Sequence, residues 1–147
     1  MASPYPEGGS PSGAPGGKTS LGLDSNLGAA LCYLANFICC LGLVLAIVFL
    51  VTEKENRFVK FHAVQSLFLV GTQIGVGIVV AILGFVVSMV LDMVNLSFVG
   101  WILVFCLRLV LFLLFLIIWL IAGIKAYGGQ WYKLPLIGEF AWNTVNK

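Results

Sequence analysis

The sequence predicts an all-α integral membrane protein: a three-helix bundle with a disordered N-terminal tail and a short C-terminal interfacial helix. Three observations carry this. Hydrophobic residues make up 61% of the 147 and charged residues 10%, against about 45–50% and 25% in an average soluble domain. Mean hydropathy is +1.07. The charges are also clustered: across Leu27–Val51, Ala63–Leu91 and Met93–Ile124 the one charged residue is Arg108. Apolar runs beyond about 18 residues read as membrane-spanning helices.

Eight basic and six acidic side chains cannot cover the surface of a soluble globule of this length. The composition therefore excludes a soluble enzyme, a nucleic-acid binder and a secreted disulfide scaffold. A net charge of +2 without a basic cluster gives no electrostatic footprint for nucleic acid. Cys32, Cys39 and Cys40 lie in the first run and Cys106 in the third. No Cys-x-x-Cys pair occurs and there is one histidine, so the spacing of a zinc site is absent. Buried thiols of this kind act as small packing residues, and no cofactor is predicted.

Residues 1–22 form the predicted tail, rich in Pro, Gly and Ser and lacking apolar periodicity. It lacks the basic region and short apolar core of a secretory signal. Asp24 or Ser25 can cap the first helix. The membrane domain covers 23–142, with spans at about 27–51, 63–91 and 97–124, and residues 143–147 form the C-terminal end. Each run is long enough to cross a core of about 30 Å with some tilt.

With three spans, the tail and the 92–96 turn share one side, where Lys18 is the basic residue. Lys54, Arg57, Lys60, Lys125, Lys133 and Lys147 share the other. The excess of positive charge places the N-terminus outside and the C-terminus in the cytoplasm of a multi-pass cell-membrane protein. Tyr127, Trp131 and Tyr132 fall at the expected aromatic belt, with Phe58 and Phe61 at the same level. After Pro135, the spacing of Ile137, Phe140, Ala141 and Val145 suits a helix lying on the surface.

Small residues mark helix contacts in lipid. Gly28, Cys32, Ala35, Cys39, Gly42 and Ala46 form a heptad seam along the first run. Ser66, Gln73, Gly77, Ala81, Gly84 and Ser88 form a second stripe, and Gly71-x-x-x-Gly75 offers another close-approach face. The third run carries a bulky face instead: Trp101, Phe105, Arg108, Phe112, Phe115, Trp119 and Ala122. Counting about 1.5 Å per residue from the span ends, Asn36, Gln73 and Arg108 all fall near the midplane. Arg108 at that depth costs about 2.5–3.5 kcal/mol on insertion scales. The expectation is a midplane polar cluster of these three, acting as a clamp on helix register; the functional alternative is a substrate, proton or ion path.

The densest polar stretch is Glu53-Lys54-Glu55-Asn56-Arg57-Phe58-Val59-Lys60-Phe61-His62-Ala63-Val64-Gln65-Ser66. Glu53 with Arg57, and Asn56 with Lys60, are spaced for i,i+4 pairs. A lone His62 beside Gln65 and Ser66 lacks the orienting acid and positioned nucleophile of a triad. The stretch reads as a solvated turn anchored in the interface; the alternative is a surface for docking a partner.

Three segments together carry a family resemblance. They are Ala30-Leu31-Cys32-Tyr33-Leu34, then Glu53 through Ser66, then Lys125-Ala126-Tyr127 with Tyr132-Lys133-Leu134-Pro135-Leu136-Ile137-Gly138. They resemble a family of small uncharacterised bacterial and archaeal membrane proteins related to the chloroplast inner-envelope import component. The magnetosome F-type membrane proteins are similar. The resemblance covers residues 21–142 and implies a fold more than an activity. The plant relative has four spans and is associated with protein translocation; this chain is read with three.

The functional expectation is a non-enzymatic scaffold or accessory subunit that self-associates and has the lipid bilayer as its surroundings. Its partners would be further copies or other membrane proteins, and no nucleic acid. The alternative is a minimal transport or translocation component with a polar path at the midplane. No nucleophile–base pair, metal-ligand set or phosphate loop is visible.

Overall fold

A computed structural model describes residues 16–38, 41–135 and 137–145. Its elements are helical: α1 (Ser25–Leu34), a 3-10 turn (Ala35–Phe37), α2 (Leu41–Thr52), α3 (Arg57–Met93), α4 (Ser97–Tyr127) and α5 (Ile137–Val145). The all-α class and the surface-length α5 agree with the sequence. The expected spans 63–91 and 97–124 fall within α3 and α4, the two helices long and apolar enough to cross a membrane.

The first run folds differently from the expectation. In place of one span over 27–51 there are two short helices that turn back on each other. At one end the Ser20 backbone N–H donates to Glu53 Oε2 at 2.8 Å. At the other, Asn36 bends its amide back to donate to the Cys32 carbonyl at 2.9 Å. Ten and twelve residues give about 15 and 18 Å of helix, each well short of a bilayer core of about 30 Å, so the pair forms a helical hairpin rather than a span. Gly42 makes the turn possible, because a Cβ there would meet the Asn36 backbone nitrogen at 2.6 Å.

Seam residues Gly28, Cys32, Ala35, Gly42 and Ala46 are buried as expected, but between the arms of the hairpin and its neighbours rather than along one helix. Gly28 lies against Phe49 of α2, with a built Cβ 3.3 Å from the ring. Cys39 and Cys40 lie outside the described residues.

Because the hairpin returns, residues 16–24 lie beside the α2–α3 connection and not on the opposite side. Part of the predicted tail is therefore folded. Thr19 N donates to Leu23 O, Ser25 N to Gly17 O, and Asp24 caps α1 by accepting from Asn26 and Leu27 N–H groups. Residues 1–15 lie outside the described residues.

Helix α1 packs on α3 and α4, α2 on α3, and α5 on α3. These contacts gather at one end, forming a base around Tyr33, Phe49, Phe58, Val59, Trp119 and Ala126. Beyond it α3 and α4 continue as a two-helix arm. They meet where Gly84 receives Val104 and Gly100 receives Leu91, each at 3.1 Å from a built Cβ. At the tip Ser97 donates to Asp92, and Asn95 adopts φ 59°, a left-handed conformation that Asn tolerates well. The arm is otherwise bare: Phe85 is 67% exposed and Trp101 74%.

Candidate functional site

The base holds a buried polar network built from the three sequence segments singled out above. Asn56 starts α3 by accepting from the Val59 N–H at 3.2 Å, which points Phe58, Phe61, His62, Gln65 and Ser66 inward; all five are buried. Helical spacing explains the set, since positions 58, 61, 62 and 65 share one face. Opposite them the chain after α4 runs as a non-helical segment from Gln130 to Leu134. Its backbone polar groups, freed from helical bonding, need partners where the segment packs against α3.

The α3 side chains supply them. Gln65 Nε2 donates to the Tyr132 carbonyl at 3.1 Å, and Gln65 Oε1 accepts from the Leu134 N–H at 3.4 Å. The Gln130 carbonyl lies 3.2 Å from His62 Nε2. A carbonyl only accepts, so Nε2 carries the hydrogen and the neutral ring presents Nδ1 as an acceptor. Tyr33 Oη, 3.1 Å from Nδ1, donates to it, and Gln65 Nε2 donates to Tyr33 Oη at 3.1 Å. Ser66 Oγ donates to the Cys32 carbonyl at 2.6 Å, which the end of α1 leaves available. The network thus ties α1, α3 and the 130–134 segment together. Among the described residues no buried side-chain nitrogen or oxygen lacks a partner.

Aromatic rings surround the network. His62 stands edge-on to Phe58 and Phe61, with centroids at 4.7 and 5.0 Å. Trp131 packs on the same two phenylalanines. Phe58 and Phe61, expected at the lipid interface, are therefore core residues of the base, with Trp131 partly buried against them, while Tyr127 is exposed as an interfacial residue would be.

The solvated reading of residues 53–66 holds for Lys54, Glu55 and Arg57, which are exposed. It fails for Glu53, which is 3% exposed. In place of an i,i+4 pair with Arg57, Glu53 accepts from Ser20 N and Oγ and from Asn56 N. Of the C-terminal motif, Lys133 reaches Glu139 at 3.5 Å and lies over the Trp142 ring at 4.5 Å. Gly138 packs on Lys133, with a built Cβ 2.6 Å from its Cα. Pro135 occupies the turn before α5 and Lys125 is half-buried in the last turn of α4; Leu136 lies outside the described residues.

The midplane trio is brought near without being bonded together. Asn36 and Gln73 line one cavity of about 100 Å³ with Phe112, Phe115 and Trp119. Gln73 and Arg108 line an adjoining cleft of about 310 Å³. Asn36 is engaged with Cys32, and Gln73 Oε1 accepts from Trp119 Nε1 at 3.2 Å. Sequence reasoning placed Trp119 on the bulky face with Arg108 but missed it as the partner of Gln73. Its indole N–H was the available signal, a donor four residues from Phe115 on the face that carries Arg108. The α3 stripe divides in the same way: Ser66 and Gly84 are buried, while Gly77 and Ala81 are open.

Comparison with known proteins places this geometry. Residues 24–141 match the magnetosome magnetite crystal formation protein family. A UPF0132 membrane protein of Methanocaldococcus jannaschii is 42% identical over 125 residues, covering 85% of this chain and 92% of the relative. One from Archaeoglobus fulgidus is 38% identical over 119 residues, covering 81% and 93%. A second Methanocaldococcus jannaschii relative is 30% identical over 122 residues, covering 83% and 71%. No solved structure matches. These matches carry the archaeal and magnetosome resemblance and do not extend it to the chloroplast import component.

Proposed function

Since this chain belongs to the magnetosome magnetite crystal formation protein family, whose relatives here are named as membrane proteins, we propose that it is a non-enzymatic, self-associating membrane scaffold. The observation that carries this reading is the bare arm. Built Cβ atoms at Gly71, Gly75 and Gly77 meet nothing within 4 Å. Notches of this kind, spaced Gly-x-x-x-Gly on a helix in lipid, are where a second helix approaches closely. The polar base supports the non-enzymatic part: His62 is fully buried and both its nitrogens are engaged. The proposal takes nothing about mineral chemistry from the family's name.

The re-entrant hairpin also revises the orientation that we propose. Lys18, Lys54, Arg57, Lys60, Lys125 and Lys133 all belong to the base, and residues 92–96 carry no basic residue. This asymmetry supports a cytoplasmic base, with residues 16–24 and α5 on that side. The arm then crosses the bilayer as two spans.

Reconstitution at one protein per several hundred lipids, followed by single-molecule subunit counting, tests the scaffold. The expected result is oligomers that fall to monomers on joint Gly71→Leu and Gly75→Leu substitution, with helicity unchanged. Monomers in the unaltered protein overturn the reading. Solute flux through liposomes that stops with Arg108→Ala would favour transport instead, along the cavities lined by Asn36, Gln73 and Arg108.

A further inference from the structure

Arg108 sits midway along the arm, about 16 Å of helix from Ser97. It borders a cleft of about 310 Å³ between α3 and α4, walled by Val76, Val80, Leu111, Phe112 and Phe115 with Gln73 as the other polar residue. Among the described residues no acidic side chain pairs with it; the ion pair formed is Lys133–Glu139. The described carboxylates stand at the two ends of the molecule. Asp24, Glu53, Glu55 and Glu139 belong to the base and Asp92 to the tip. A guanidinium at bilayer depth is costly unless it is paired or reaches water; Arg108 is exposed on the arm, and none of these carboxylates lies at its level.

A second copy does not bring one either. Copies related by an axis along the membrane normal place like residues at like depth, so a neighbour's carboxylates also lie away from the level of Arg108. A phospholipid phosphate is held at the headgroup level, about 15 Å from the midplane of a 30 Å core. A single-chain carboxylate carries its charge on a mobile chain and can sink along the cleft, whose lining residues Gly77, Arg108 and Phe112 are exposed. We propose that the Arg108 cleft is a binding site for a long-chain fatty acid, its carboxylate paired with the guanidinium and its chain lying on Val80, Phe112 and Phe115. This holds whether the chain is a monomer or an oligomer, and so stands apart from the scaffold reading.

The test uses the full chain in phosphatidylcholine nanodiscs titrated with cis-parinaric acid, read by energy transfer from tryptophan. Trp119, bonded to Gln73, is a donor beside the cleft. The expected result is saturable transfer, displaced by oleic acid and not by oleyl alcohol. Arg108→Gln weakens it about tenfold or more, as loss of a charge-assisted bond in a low-dielectric site does, and Arg108→Lys retains it. Gly77→Leu, which fills the open wall while keeping the charge, also abolishes it and decides the matter if Arg108→Gln fails to reconstitute. Transfer that is linear and equal in all variants overturns the proposal. Displacement by phosphatidylglycerol but not by oleic acid overturns it too, in favour of a phospholipid phosphate.

Discussion

Around Gln65, helix α3 is enclosed by α1 and by the 130–134 segment, and its polar side chains are bonded to both. Twenty residues later, around Phe85, the same helix touches α4 along one edge and is otherwise bare. The two regions solve the same problem differently. In the base the chain leaves helical geometry at the hairpin tip and again after Tyr127, so side chains must satisfy the freed backbone groups. In the arm the helices satisfy their own backbone, and side chains answer only to lipid or to another copy. Stability is therefore concentrated in the base, while the arm is free to vary in what it contacts.

The strongest way to break this comparison is to remove the network and find the base intact. Gln65→Leu keeps the volume and strips the partners from the Tyr132 carbonyl and the Leu134 N–H, while Tyr33 Oη loses one donor and keeps its bond to His62. Leaving such groups buried and unpaired costs about 1–3 kcal/mol each. We expect a loss of about 3 kcal/mol, read as a lowered unfolding midpoint in mild detergent. Amide exchange should also quicken at residues 130–134 before it does in the arm. An unchanged midpoint would mean that the network does not hold the base together.

A smaller effect is expected at the hairpin tip. Gly42→Val drives a side chain into Asn36, where even a Cβ has no room. Overpacking of this kind costs about 1–3 kcal/mol. The re-entrant turn gives a second readout: a cysteine placed at position 20 should be labelled from the same side as one at position 54. Labelling from opposite sides would restore a spanning first helix and remove the basis for a cytoplasmic base.

That turn marks the limit of what the sequence made legible. Length and hydropathy are enough to find α3 and α4, because each is a continuous apolar run whose backbone needs nothing outside itself. The same criteria read 27–51 as one span, since a re-entrant pair has the hydropathy of a single helix. The distinguishing signs are local: Asn36 returning to the Cys32 carbonyl, Gly42 leaving room for it, and Ser66 covering the same carbonyl from α3. The small-residue seam survives the error because a heptad repeat marks burial without saying which helix does the burying. For the network, His62, Gln65 and Ser66 were visible as one face, but their partners were not. Apart from the Tyr33 hydroxyl, those partners are backbone groups at 32, 130, 132 and 134, which no side-chain pattern reveals.

The smallest expected effect lies in the arm, at Phe85→Ala. A core phenylalanine truncated to alanine costs about 3–5 kcal/mol. Phe85 is 67% exposed, and in a bilayer that exposed ring already lies in an apolar medium. Truncation exchanges ring–lipid contact for methyl–lipid contact, and the hydrophobic term that penalises the change in water is nearly absent. We therefore expect a shift within about 0.5 kcal/mol, as for substitutions outside the packed interior, measured by the same detergent unfolding used for Gln65→Leu. Repeating the measurement over a range of protein-to-lipid ratios separates the two ways this can fail. A loss that appears only when protein is abundant places Phe85 in a contact between copies and sharpens the arm's role in assembly. A loss at every ratio means that the arm is packed within one chain, and the division between a self-sufficient base and a bare arm falls.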